Sequence, residues 1–223
     1  MRKVGIVMGS DSDLPVIEKA VKILRELDVP FEAHVYSAHR TPEEARSFAL
    51  NARENGFGVI LAAAGMAAHL AGAIAANTTL PVIGIPCRGP ALDGMDALLS
   101  TVQMPSGIPV ATVGVGSGAN AALLAAEILA VEDETLAARL ADKRRADTRA
   151  VLEKDAGIED AVLAGAVVLE LEQIVAVVKG VNILGLSCVN EFLFHGSCLL
   201  YLNLGLTICN FLQPASQLVI ANQ

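Results

Sequence analysis

At 223 residues the chain is long enough for one domain with a sizeable core, or for one domain carrying an appendage. Hydrophobic residues make up 53% and aromatics 4%, with no Trp, so the core must be built from Ala, Val, Ile and Leu, which suits helices packed closely on a sheet of branched aliphatic strands. The net charge of −8 excludes an extended nucleic-acid surface, because a phosphate backbone requires clustered Lys and Arg, yet it leaves room for a small phosphorylated ligand held by a few backbone N–H groups and one Arg.

In chain order, Arg2-Lys3 leads into a strand-like run, Val4–Met8, and then into acidic residues. That is not the pattern of a secretory leader, and a cytoplasmic location is expected. Gly9-Ser10-Asp11-Ser12-Asp13 follows, and then a helical pattern with Val16, Ile17, Ala20, Val21, Ile23, Leu24 and Leu27 on one face and Pro15 in the first turn, where a missing N–H costs little. Phe31–Tyr36 reads as a second strand. Thr41-Pro42-Glu43-Glu44 predicts a helix start with Thr41 as N-cap, Pro42 at N1 and Glu44 completing a capping box. Gly58–Ala63 is a third strand, followed by a helix through Ala67–Ala76 that contains His69. Pro81–Ile85 and Ile108–Val113 make a fourth and a fifth strand, with helices around Asp96–Val102 and Ala119–Ala130 and a charged helix over about Asp133–Glu153.

Strands alternating with helices over short connections imply parallel strands in right-handed crossovers. The fold expected is α/β, a three-layer αβα sandwich on a parallel, flavodoxin-like sheet, occupying residues 1–156. Ligands in such folds sit beyond the carboxyl ends of the strands, so chemistry belongs in the loops after strands one, two and three.

Residues 157–223 change character: the stretch Phe192–Leu212 has no acidic or basic residue apart from His195. It is long enough to cross a bilayer, but Asn203, Asn210, Gly196 and Gly205 interrupt it and no basic cluster flanks it. An apolar extension packed on the domain or on an oligomer partner is the preferred reading, ahead of a membrane segment and of a read-through or fusion product without a role. Cys87, Cys188, Cys198 and Cys209 fit no zinc spacing and read as free thiols of a reducing compartment.

Three loops hold the unusual residues. Gly9 lets the backbone approach a ligand, Ser10, Ser12 and helix N–H groups offer donors to an anion, and Asp13 can accept from ribose hydroxyls; the same residues also suit an ordinary N-cap cluster. Neither a Walker loop nor a dinucleotide fingerprint is present. Ser37-Ala38-His39-Arg40 puts an imidazole, which gives and takes a proton near neutral pH, at a strand end, beside a guanidinium able to grip a phosphate or carboxylate. Outside a site, His39 would be a surface histidine beside a helix cap. Ala63–Ala68 leaves room for a flat ring or a small neutral molecule, and His69 is as suited to holding a loop as to catalysis. Gly114–Asn120 reads as a turn into a tightly packed helix.

Taken in order, Met8-Gly-Ser-Asp-Ser-Asp13, Ser37-Ala-His-Arg-Thr-Pro42, Ala64-Gly-Met-Ala-Ala-His-Leu70, Pro81-Val-Ile-Gly-Ile-Pro86 and Val102-Gln-Met-Pro-Ser-Gly-Ile-Pro109 resemble the N5-carboxyaminoimidazole ribonucleotide mutases and the related aminoimidazole ribonucleotide carboxylases, over about residues 3–155. The resemblance implies conversion of N5-carboxyaminoimidazole ribonucleotide to 4-carboxy-5-aminoimidazole ribonucleotide in purine synthesis, with direct carboxylation by carbon dioxide as the alternative. Arg40 matches the mutase branch, the direct carboxylases usually having Lys there. By resemblance, His39 is the proton-transfer residue, with His69 in the neighbouring loop. Ser10, Ser12, Asp13 and Arg40 hold the ribose phosphate and Ser37 lines the pocket. Gly65, Met66 and Ala67 border bound carbon dioxide, although Gly65-Met66 replaces the family's Gly-Gly pair. No metal or organic cofactor is implied, and no nucleic-acid partner. Family members are usually homo-octamers whose sites borrow residues from neighbouring subunits, and they lack a tail of this kind. Two further readings stand beside this one: a pyridine-nucleotide carboxylase, which the Ser37–Pro42 block opposes, and a non-catalytic nucleotide-binding module.

Overall fold

The computed structural model describes residues 1–162. Contacts divide the chain into two units, Met1–Thr148 and Arg149–Gln223. In chain order the elements are β1 (Lys3–Met8), a 3₁₀ turn (Asp11–Asp13), α1 (Leu14–Glu26), β2 (Phe31–Val35), α2 (Pro42–Asn51), β3 (Phe57–Gly65), α3 (Leu70–Ala75), β4 (Val82–Cys87), α4 (Met95–Val102), β5 (Ala111–Thr112), α5 (Gly118–Ala130) and α6 (Glu134–Ala156).

The first unit is the expected parallel sheet, in the order β2-β1-β3-β4-β5. The register pairs Val4 with Phe31 on one side and with Val59 on the other, and Ile60 with Val82. The central strands are buried on both faces: Val59, Ile60 and Leu61 are all wholly inaccessible. This is why β1, β3 and β4 read as unbroken aliphatic runs and not as alternating ones. β2 lies at an edge and is more polar. Glu32 there accepts from Lys3 Nζ at 2.7 Å and contacts His34 Nε2 at 3.0 Å, and such charges discourage further strand pairing.

Side chains alternate across the sheet. Val4, Ile6, Met8, Leu61 and Ile85 join Ile17, Leu24, Ala122, Ala126 and Leu136, so α1, α5 and the start of α6 cover one face. Val7, Ile60, Ala62 and Val82 join Ala45, Ala49, Leu70 and Ile74 under α2 and α3. Small residues let the helices close in. A Cβ on Gly118 would stand 2.0 Å from the Val16 carbonyl oxygen, and one on Gly84 would stand 2.3 Å from Thr101 of α4. Gly114–Asn120 is thus the expected turn into a tightly packed helix.

Several boundaries differ from expectation. β5 shrinks to Ala111–Thr112 because Pro109 has no N–H for the ladder and Pro105 starts a separate turn, with Ile108 N donating to its carbonyl. Thr41 is the N-cap of α2, but the predicted capping box does not form. Its Oγ1 instead accepts from Ser37 N at 2.8 Å, bracing the preceding loop. A capping box does form one loop earlier, between Ser10 and Asp13. α3 begins at Leu70, so His69 is its N-cap and not an interior residue.

In the second unit, α6 runs on to Ala156, and residues 158–162 are again helical after a turn at Gly157. The predicted apolar stretch Phe192–Leu212, with Cys188, Cys198 and Cys209, lies outside the described residues. Among the described residues no helix is long and apolar enough to cross a membrane.

Candidate functional site

Because every strand pair is parallel, the carboxyl ends of β1 to β4 meet at one edge of the sheet. β1 lies between β2 and β3, so the loop after β1 is flanked by the loops carrying the two histidines.

The first loop continues the ladder through Gly9 N, which donates to Ala63 O at 3.0 Å. It then turns on its own side chains: Ser12 N donates to Ser10 Oγ at 3.3 Å, and Ser10 N to Asp13 Oδ2 at 3.2 Å. Asp13 is 7% exposed. Burial pushes its carboxyl above the ordinary aspartate range, against the opposing pull of the Cys87 thiol, the Ser10 and Gly9 amides and the Arg40 charge.

The second loop is folded by Ser37, whose Oγ accepts from His39 N at 3.3 Å and from Arg40 N at 3.2 Å. Ser37 therefore shapes the turn that presents His39 and Arg40. Arg40 reaches back across the sheet edge, and its Nη2 donates to Gly9 O at 2.7 Å, tying the second loop to the first.

In the third loop Met66 has φ +54°, a left-handed backbone that costs a non-glycine residue about 1–2 kcal/mol. Its carbonyl oxygen lies 3.3 Å from Ser100 Oγ of α4, and Gly65 sits beside Cys87 in the β3–β4 ladder. His69 N donates to Ala67 O at 2.8 Å, closing the loop. The two loops then meet: His39 Nε2 is 2.9 Å from His69 Nδ1, with ring centroids 5.1 Å apart and planes at 78°. One ring must donate and the other accept, so their tautomers are set together. Both imidazoles are exposed, as a pair that exchanges protons with a ligand has to be.

Ser10, Ser12, Asp13, Ser37, His39, Arg40, Gly65, Met66, Ala67 and His69 thus all lie on three adjacent loops. Cys87, at the end of β4, is a buried free thiol whose Sγ donates to Ile85 O at 3.6 Å. The groove between α1 and β2, lined by Leu14, Ile17, Val21, Arg25 and Phe31, contains none of these loop residues. Small side chains, phosphate-compatible donors and a hydrogen-bonded imidazole pair are an arrangement chemically able to hold a small anion and to move a proton beside it.

The family model described as AIR carboxylase matches residues 3–150. Over 157 residues the chain is 53% identical to the N5-carboxyaminoimidazole ribonucleotide mutase of Pyrococcus horikoshii, covering 70% of this chain and 89% of the relative. Over 153 residues it is 54% identical to the mutase of the same name from Escherichia coli K12, covering 68% and 90%. The crystal structure of Treponema denticola PurE superposes with a TM-score of 0.60 at 28% identity, over 69% of this chain and 96% of that one.

Proposed function

This chain belongs to the AIR carboxylase family, and from that premise we propose that it converts N5-carboxyaminoimidazole ribonucleotide to 4-carboxy-5-aminoimidazole ribonucleotide, a mutase step of purine synthesis. The observation that carries the reaction is the identity to mutases along nearly their whole length. The 2.9 Å contact between His39 and His69 supports the mechanism.

The phosphate of the substrate rests on the first loop, with Ser10, Ser12 and the helix N–H groups as donors and Arg40 as the countercharge. Asp13 accepts from the ribose hydroxyls, and Ser37 holds the second loop in shape. Protonated His39 gives its proton to the exocyclic nitrogen as the N–C bond of the carbamate breaks, releasing carbon dioxide and a neutral amine. The carbon dioxide stays against Gly65, Met66 and Ala67. The ring carbon attacks it, forming the new C–C bond, and neutral His39 takes the ring proton as aromaticity returns. The proton count balances: one is given and one recovered, and the contact to His69 holds the His39 ring in place through both half-steps. Retaining carbon dioxide beside the ring supplies a proximity that the dissolved gas does not have.

The catalytic unit is residues 1–156, working as an octamer. Support for assembly comes from α4, where Met95, Leu99 and Val102 recur at helical spacing on an exposed face.

The test supplies the chain either with the carbamate substrate or with aminoimidazole ribonucleotide plus bicarbonate, following product absorbance. Faster turnover of the carbamate is expected. Turnover of the second mixture alone would make the chain a direct carboxylase, and binding without turnover in either would make it a binding module.

A further inference from the structure

The ladder of β2 ends at Tyr36, whose N–H donates to Met8 O at 3.0 Å. The next amide, Ser37 N, lies past the ladder and donates to Thr41 Oγ1 at 2.8 Å. The same hydroxyl donates to the Ser37 carbonyl oxygen at 3.3 Å, and Thr41 N donates to that oxygen at 2.9 Å. Ser37 and Thr41 are thus joined through both backbone and side chain, with the His39 and Arg40 amides held between them on the Ser37 hydroxyl. Thr41 is also the N-cap of α2, where a threonine hydroxyl ordinarily accepts from an amide of the first turn and stabilises the helix. Among the described residues it makes no such bond: the helix forgoes its cap and the hydroxyl serves the loop.

We infer that Thr41 is a positioning residue for the proton transfer, its hydroxyl clamping the end of β2 to the start of α2 so that His39 stands beside the reacting edge of the substrate. The inference deepens the mutase reading and rests on the role that reading gives His39. Both anchors are rigid: β2 is paired along its length to β1, and α2 is seated in the core through Ala45 and Ala49. Side chains carried between two fixed elements keep their geometry only if the turn keeps its own. The two residues on this turn depend on the clamp unequally. Arg40 has a second tie, its Nη2 donating to Gly9 O at 2.7 Å. Among the described residues the His39 ring has only the ring of His69, which itself stands where a loop enters α3. Loosening the turn therefore harms proton transfer more than phosphate binding.

Thr41→Val keeps the branched shape and removes the hydroxyl, whereas Thr41→Ser keeps the hydroxyl and removes the methyl. In the full chain on the carbamate substrate, the Val variant should lose about tenfold to hundredfold in kcat, the scale of a small misplacement of a reacting group, with KM changed by less than about threefold. The Ser variant should stay within about twofold of the wild type in both. Added to His39→Asn, Thr41→Val should change the residual kcat by less than about twofold, because the hydroxyl acts through that ring. Histidine ring nitrogen NMR spectra, recorded without substrate, need no turnover: the signature of the His39–His69 hydrogen bond should be lost in the Val variant and kept in the Ser variant. Wild-type kcat and ring spectra in the Val variant overturn the inference. So does a rise in KM alone, a Ser variant as impaired as Val, or a further fall on the His39→Asn background. Thermal melts showing Thr41→Val and Thr41→Ala both unfolded would assign the hydroxyl to folding and overturn it as well. A wild-type chain that shows the ring signature but turns nothing over sinks the mutase reading alone, and the spectra of the variants still decide the clamp.

Discussion

His39 and His69 are 30 positions apart in sequence and 2.9 Å apart in space, and neither ring is anchored to anything else by its ring nitrogens among the described residues. The pair orients itself. Replacing His39 by Asn should leave folding and nucleotide binding intact and lower kcat roughly 10²- to 10⁴-fold, the usual scale of a lost general acid–base; stopped-flow turnover with a separate binding titration checks both halves. Met66 makes the opposite prediction. Met66→Gly removes the cost of its φ of +54° and adds about 0.4–1 kcal/mol of unfolded-chain entropy. Against about 1–2 kcal/mol of relief, the variant should gain about 0.5–1 kcal/mol in urea unfolding. Asp13 is held above its ordinary range by burial, so its contribution to stability is fully present below the unfolded value and is lost as pH rises through the raised one. Asp13→Asn should therefore raise the melting temperature at neutral pH, by an amount that shrinks towards pH 4, while weakening substrate binding. Equal gains at both pH values would contradict it.

The helices owe their positions to missing side chains as much as to present ones. Gly118 starts α5 against the backbone of α1, where an added Cβ would stand 2.0 Å from Val16 O. Gly118→Ala has no flexible side chain to push aside and should cost about 2–3 kcal/mol by chemical denaturation. Such packing is only partly legible in the sequence. The aliphatic runs at Val4–Met8 and Gly58–Ala63 announced buried parallel strands, because burial on both faces removes polar alternation. The Ser-Asp, His-Arg and Gly-Met-Ala turns then followed as their carboxyl ends. Thr41 misled because Ser37, four residues earlier, competes for its hydroxyl, and such local competition is invisible to a capping pattern. His69 was placed inside a helix because Ala67 and Ala68 favour helix, whereas the left-handed Met66 delays its start. The contact between the two histidines depends on strand order, which spacing along the chain does not encode.

For the molecule as a whole, the first unit carries the sheet and every loop of the site, so removing the residues after Ala156 should spare the chemistry. A chain ending at Ala156 is expected to elute as an octamer by light scattering and to turn over at the full-length rate; a truncated chain that is inactive or monomeric would assign the C-terminal residues a part in assembly. The sheet order has a consequence for the ribosome. β1 pairs first with β2, its successor in the chain, and β3 then joins on the opposite side of β1. A nascent polypeptide can therefore dock its first two strands early, yet His39 must wait for residue 69 to emerge. Translation has to pass the third strand and the turn after it before any ligand could meet the paired imidazoles, so the half-made protein is chemically silent.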